Sequence, residues 1–196
     1  MNALIIVDIQ NDFLPGGALA VPQGGEVTEP INRLQADYGL VVATQDWHPA
    51  GHKSFASSHP GKSPFDRIDL QGLPQTLWPD HCIQGTPGAA LSDALDTRRI
   101  EAIFRKGMDL EIDSYSGFFD NGRRKNTGLV GYLRDRNVTS VAISGLAADF
   151  CVFFTAMDAL DAGFEATILA AASRAIDPVE YEAKKALFVE KGGVLG

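Results

Sequence analysis

The alternation of two hydrophobic periods constrains the fold more than any other feature of this chain. Five short apolar runs, Leu4 to Val7, Leu40 to Thr44, Ile100 to Phe104, Val138 to Ser144 and Ala166 to Leu169, are nearly free of interleaved polar residues. Runs of this length and character read as strands buried on both faces. Helical periodicity fills the intervals Val27 to Tyr38 (closed by Gly39), Gly128 to Arg136, and Asp149 to Ala162 (closed by Gly163). A last helix has Asp177 as N-cap, Pro178 at its first position, and runs to about Glu190. Strand and helix in alternation predict an α/β fold: a single doubly wound domain over residues 1–196, with a mostly parallel central sheet of about six strands and helices on both faces. Such sheets bind ligands beyond the carboxyl ends of their strands.

One interval breaks the rhythm. From about residue 45 to 87 the chain is rich in Pro, Gly, His and Ser and has no long apolar run. Long stretches of this kind are functional or disordered. This one holds all 4 histidines, His48, His52, His59 and His81. A disordered linker has no reason to collect them, so the interval is expected to be an ordered loop insertion that builds a site.

The formal charge of -8 argues against nucleic acid and anionic membranes as partners, because the densest basic run is only Arg123, Arg124 and Lys125. No apolar stretch approaches the ~20 residues of a spanning helix, and Met1 leads into Leu4 without a cationic leader, so a cytoplasmic address is expected. The 2 cysteines are too few for a disulfide framework. Each is then a small core hydrophobe or a reactive thiol, and context must decide which.

The context lies at the strand ends. Asp8 follows the first strand, Asp46 lies just past the second, Lys106 just past the third, and Cys151 follows the fourth strand and the turn Gly145 to Ala148. In a parallel sheet these ends share one edge, so two carboxylates, an amine and a thiol converge. Cys151 would occupy the first turn of a helix, where the dipole and free N–H groups favour a thiolate and an oxyanion. Asp8 would move the proton, and Lys106 would hold the charged forms. Each has a plain structural alternative: packing for Cys151, turn capping for Asp8, surface solvation for Lys106. Their shared edge favours a site.

A second group is Asp46, His48 and His81. Two residues apart on extended backbone, Asp46 and His48 face the same way, and an imidazole from a separate loop commonly completes a ligand set. These donors suit one divalent ion, zinc, iron or manganese, and the donor types alone do not choose among them. His52 and His59 are expected to be polar surface residues. Cys82, next to His81, points away from the ion and is expected to be buried and structural.

The segments VDIQNDFLPGGAL from Val7, TQDWHPAGHKSF from Thr44, WPDHCIQGTPGA from Trp78, FRKG from Phe104, SYSGFFDN from Ser114 and SGLAADFCV from Ser144 resemble, in order, those of the isochorismatase-like cysteine hydrolases, specifically the nicotinamidases, which also act on pyrazinamide. The resemblance implies a triad at Asp8, Lys106 and Cys151, and metal ligands at Asp46, His48 and His81. It also implies a cis peptide at Leu146-Ala147, oxyanion donors at the N–H groups of Ala147 and Cys151, and pocket residues Phe13, Trp78 and Tyr115. Some members have another histidine ligand where this chain has Ser54, which leaves Ser54 a weak or water-mediated contact.

The implied reaction is hydrolysis of nicotinamide to nicotinate and ammonia through a thioester, in NAD salvage, with nicotinamide as the small-molecule partner; a homo-oligomer is compatible with the sequence. Two alternatives stand beside it: a sibling amidase of an N-carbamoyl or ureido compound, and a non-enzymatic metal or redox sensor using Cys82 and Cys151. Dinucleotide binding is disfavoured, since Asn11-Asp12-Phe13-Leu14-Pro15-Gly16-Gly17 stands where G-x-G-x-x-G is required.

Overall fold

In the computed structural model, which describes all residues 1–196, the chain runs β1 (Asn2–Val7), α1 (Thr28–Leu34), β2 (Leu40–Asp46), β3 (Arg67–Leu70), β4 (Leu73–Thr76), β5 (Ile100–Lys106), α2 (Leu129–Asp135), β6 (Ser140–Gly145), α3 (Phe153–Asp161), β7 (Glu165–Ser173), α4 (Pro178–Glu190) and β8 (Val194–Leu195). Six strands form one sheet in the order β5-β2-β1-β6-β7-β8. Every pairing in it is parallel. The sheet is therefore wholly parallel and each connection within it is a crossover: α1, α2, α3 and α4 carry four of them, and the insertion between β2 and β5 carries the fifth without an α-helix.

Alternation along the strands sorts the core into two layers. Ala3, Ile5, Val7, Val42, Val141 and Ile143 face one side, where they meet Leu129 and Leu133 of α2, Phe153 and Ala156 of α3, and Tyr181 and Phe188 of α4. Leu4, Ile6, Val41, Ala43 and Ala142 face the other, against Ile31 of α1 and Phe13, Trp78 and Cys82 of the loops. The inner strands β1, β2 and β6 are covered on both faces, as their apolar runs predict, but β5 lies at the sheet edge and exposes Glu101, Ile103 and Arg105, so the expectation of burial on both faces is corrected there.

The elements differ from the sequence reading in three places, each with a local cause. The segment Asp149 to Ala162 is not one α-helix: Ala148–Val152 forms a π-helical turn, in which the Val152 N–H reaches back to Ala147 O at 3.1 Å, and α3 begins only at Phe153. The 45–87 insertion contains an antiparallel hairpin of β3 and β4. Its two-residue turn places Gln71 and Gly72 at φ 56° and 81°, a left-handed pair that turns a hairpin without a strong apolar signal in the strands. The sixth strand, β8, is two residues long and both are exposed. A run that short carries no readable period.

β1 has β2 on one side and β6 on the other, so the crossovers leave it in opposite directions and open a crevice above its carboxyl end. The loops after β1, β2, β5 and β6 all reach this crevice. Beyond β7, the Asp177 carboxylate accepts the N–H groups of Val179 and Glu180 and caps α4. Replacing it by alanine is expected to cost about 1 kcal/mol, read as a lower urea midpoint at unchanged slope.

Candidate active site

Register delivers the charged residues to one point. Asp46 and Lys106 end their strands as direct partners across the β2–β5 pair. Their side chains form an ion pair, Lys106 Nζ to Asp46 Oδ1, at 3.0 Å. Asp8, one residue past β1, turns the chain with φ 51°, a left-handed value uncommon for a residue with a Cβ. This brings its Oδ2 to 2.9 Å from Lys106 Nζ, while its Oδ1 accepts the Thr44 hydroxyl at 2.6 Å. Asp8, Thr44, Asp46 and Lys106 are all buried.

Cys151 enters from the π-helical turn. Gly145, which ends β6 at φ 127°, allows the close approach that sets up this turn: a Cβ there would lie 2.1 Å from Val7 O. The Leu146-Ala147 peptide is cis. The N–H of Ala147 donates to no protein acceptor. The Cys151 thiol lies 3.4 Å from Lys106 Nζ. Lys106 thus directs its three protons at Asp46, the Ser114 carbonyl (3.1 Å) and Cys151, so its contact with Asp8 is coulombic.

Burial dominates the protonation of the cluster. It would discharge Lys106, but Asp46 and Asp8 outweigh it and hold the ammonium well above the ordinary lysine value. Burial raises the Asp8 carboxyl against the opposing pull of Lys106. It also pushes the Cys151 thiol well up, with Asp8 and Asp46 adding to the rise and Lys106 opposing it. The expectation of a thiolate favoured by a helix terminus is therefore corrected. In this environment the resting group is a thiol, and a base must take its proton during attack.

Asp46, His48 and His81 also converge. Asp46 Oδ2 lies 3.0 Å from His48 Nε2 and 3.4 Å from His81 Nε2. Loop residues 46–48 and 82–84 zip together, with the His48 N–H on Cys82 O and the Gln84 N–H on His48 O, which carries His81 to the second strand's end. Each histidine contacts a carbonyl through Nδ1, His48 with Gly107 O at 2.9 Å and His81 with Pro79 O at 2.8 Å. A carbonyl only accepts, so Nδ1 bears the hydrogen in each neutral ring and Nε2 presents its lone pair to Asp46. Three lone pairs then face one point, an arrangement that repels itself unless a cation occupies the centre. The donor set fits a divalent metal ion on this ground. Three buried carboxylates, Asp8, Asp46 and Asp113, against one buried ammonium point the same way.

A second donor group, His48, His52 and Asp113, is as compact but does not fit a cation. The Ser54 backbone N–H donates to His52 Nδ1 at 3.1 Å, and the Ser54 hydroxyl lies 2.7 Å from the same atom. The His52 hydrogen must then sit on Nε2, which is buried and lacks a protein partner. His52 is fully buried, contrary to its expected surface position, because the insertion folds over it; His59 is half-buried, with Nε2 donating to Lys53 O. Ser54 is buried too, its hydroxyl engaged by His52. Cys82 is buried as expected, and its N–H donates to Asp12 Oδ2.

A small, partly open cavity of about 20 Å³ adjoins Cys151 and Asp46. Phe13, Trp78 and Tyr115 line it, as do Leu19, Phe150, Ile176 and Asp113, which the sequence did not single out. Phe150 crosses the Trp78 ring edge-on at 4.8 Å. Gln75 donates to Asp113 Oδ2 at 2.9 Å and to the Tyr115 hydroxyl at 3.0 Å, fixing two of the walls. Gln10, unmarked by the sequence pattern, also serves the site: its side chain donates to Asp46 O (2.8 Å) and Ala89 O (2.8 Å) and accepts from Asp46 N (2.7 Å). No local pattern marks it, because strand alternation ends where Asp8 turns the chain. Because Gln10 fixes the backbone of Asp46, Gln10→Ala is expected to weaken metal retention about 10-fold, measured by competition with a chelator and metal analysis.

Comparison with known proteins follows the same lines. The isochorismatase domain profile matches residues 2–195. A nicotinamidase of Escherichia coli (strain K12) is 48% identical over 90% of this chain and 84% of its own. Among solved structures, an Acinetobacter baumanii nicotinamidase and pyrazinamidase superposes with a TM-score of 0.96 at 43% identity, covering 99% of this chain and 94% of that one. A Pyrococcus horikoshii pyrazinamidase in complex with zinc superposes at 0.81 with 35% identity, covering 100% of this chain and 98% of that one.

Proposed function

The chain belongs to the isochorismatase family, and on that premise we propose that Cys151, Asp8 and Lys106 form the catalytic triad of a metal-containing cysteine amidase. It hydrolyses nicotinamide to nicotinate and ammonia in NAD salvage, and acts on pyrazinamide. The observation that carries the triad is the position of Lys106 Nζ, 3.4 Å from Cys151 Sγ and 2.9 Å from Asp8 Oδ2 in a buried pocket.

Asp46, His48 and His81 would hold the metal, and we assign zinc, the ion in the Pyrococcus relative. When bound, the ion supplies a Lewis acid for the lone pair of the pyridine nitrogen. Phe13 and Trp78 flank the ring, with Tyr115 beside Trp78 at 6.2 Å between ring centres. Ser54, held by His52, is at most a water-mediated contact. We take residues 1–196 as one hydrolase domain whose insertion at about 45–87 supplies the metal donors. We place it in the cytoplasm, a reading supported by two free cysteines.

Asp8 takes the thiol proton as Cys151 sulfur attacks the carboxamide carbon. The N–H groups of Ala147 and Cys151 receive the developing oxyanion, and Lys106 steadies the negative charge as it passes from Asp8 to sulfur during the proton transfer. Asp8 then returns the proton to the departing nitrogen, so ammonia leaves and a nicotinoyl thioester remains. In the second half, Asp8 accepts a proton from water, the resulting hydroxide displaces the sulfur, and the thiol is restored. One amide and one water become one carboxylic acid and one ammonia, and the enzyme ends as it began.

Cys151→Ala is expected to lower ammonia release from nicotinamide by at least about 10⁴-fold while fold and metal content persist. Release at the parental rate would remove Cys151 from the mechanism. Assayed beside ureido compounds, the parent should turn over nicotinamide and pyrazinamide and lose activity to a chelator; activity confined to ureido substrates would overturn the substrate assignment.

A further inference from the structure

The nucleophile's turn has few ties of its own. It leaves β6 through Gly145, makes one π-helical turn, and only at Phe153 joins a regular helix. Something outside it must fix where the Cys151 sulfur sits, since a displacement on the order of 1 Å in a reacting group can lower a rate about 100-fold.

We propose that Asp149 is the positioning residue for the nucleophile, acting by clamping the π-helical turn to the segment between β7 and α4. The proposal rests on the triad assignment above. Asp149 is fully buried, two residues before Cys151, and faces away from the triad. Its Oδ1 accepts the Ile176 N–H at 2.9 Å and its Oδ2 the Asp177 N–H at 2.8 Å. Its own carbonyl accepts the Lys184 ammonium at 2.5 Å, from the middle of α4. One residue earlier, the Ala148 N–H donates to Arg174 O at 2.7 Å. Four bonds thus tie residues 148 and 149 to 174, 176, 177 and 184.

Two consequences give the clamp a part in the reaction. Ile176 lines the catalytic cavity, so one carboxylate holds both the sulfur's turn and a wall of the pocket. Lys184 also lies 4.2 Å from the centre of the Phe150 ring, which crosses Trp78, so the same cation steadies a second wall. A carboxylate is required because both partners are donors: an asparagine keeps one acceptor and sets its NH₂ against the other N–H.

Asp149→Asn is expected to fold and to retain the parental metal content. Its kcat should fall about 100-fold with KM within about threefold, and iodoacetamide should alkylate Cys151, located by mass spectrometry, about tenfold more slowly. Lys184→Met should lower kcat about tenfold and serves if Asp149→Asn does not fold. Leu133→Ala, a core change on α2, which supplies no clamp residue, controls for destabilisation: kcat should be parental well below its lowered melting temperature. A kcat per folded molecule within threefold of the parent in Asp149→Asn, or in Lys184→Met if only that variant folds, would reduce the clamp to a structural tie and overturn the proposal. Alkylation needs no substrate, so it tests the placement of the thiol even if the nicotinamide assignment fails.

Discussion

The ammonium of Lys106 is the interaction on which the site depends. A cation this deeply buried costs several kcal/mol in lost hydration unless anions and hydrogen bonds replace the water. Here the replacements come from Asp46 on β2, Asp8 after β1, and the carbonyl of Ser114. The two carboxylates are placed by the sheet and the carbonyl by the loop that follows β5. A one-residue slip between β2 and β5 would turn Lys106 to the opposite face and leave Asp8 and Asp46 as unpaired buried carboxylates. Removing the lysine while keeping the carboxylates would be equally unfavourable. Charge pairing and strand register therefore enforce one another.

The donors of Asp46, His48 and His81 repeat this logic with a cation that the chain does not encode. The carbonyls of Gly107 and Pro79 fix the hydrogens on Nδ1, and Gln10 fixes the backbone of the carboxylate. Gly107 can be nothing larger, because a Cβ there would lie 2.5 Å from His48 Cε1. The same immobility separates the useful histidines from the others. His52 is as buried as His48, but its Nδ1 lone pair is already taken by Ser54, which leaves it a donor.

Two cysteines of similar burial meet different fates for a reason of neighbourhood. Cys82 packs in the core layer with Phe13 and Trp78 and has no ammonium beside its sulfur. Cys151 has Lys106 at 3.4 Å. Burial raises both thiols, so neither is set apart by acidity at rest. What distinguishes Cys151 is the Lys106 ammonium beside its sulfur and the Asp8 carboxylate paired with that ammonium.

Much of this was legible in the sequence. The apolar runs forecast a parallel sheet, since burial on both faces demands unbroken hydrophobicity, and strand ends forecast convergence, since parallel strands share an edge. Asp8, Asp46, Lys106 and Cys151 were found because each is an unusual residue at such an end. Phe150, Ile176, Asp113, Gln10 and Asp149 were not, because their importance lies in partners distant in the chain, as with Asp149 and the N–H groups of Ile176 and Asp177. The π-helical start of the segment holding Cys151 was also invisible, since a wider turn leaves hydrophobic periodicity almost unchanged. The sequence by itself determined which chemical groups would meet, because that follows from the alternation of strands and helices. Only the tertiary structure decided which of them are charged, which nitrogen carries a hydrogen and which carbonyl fixes a ring, because those depend on distances of a few ångströms between segments that no local pattern relates.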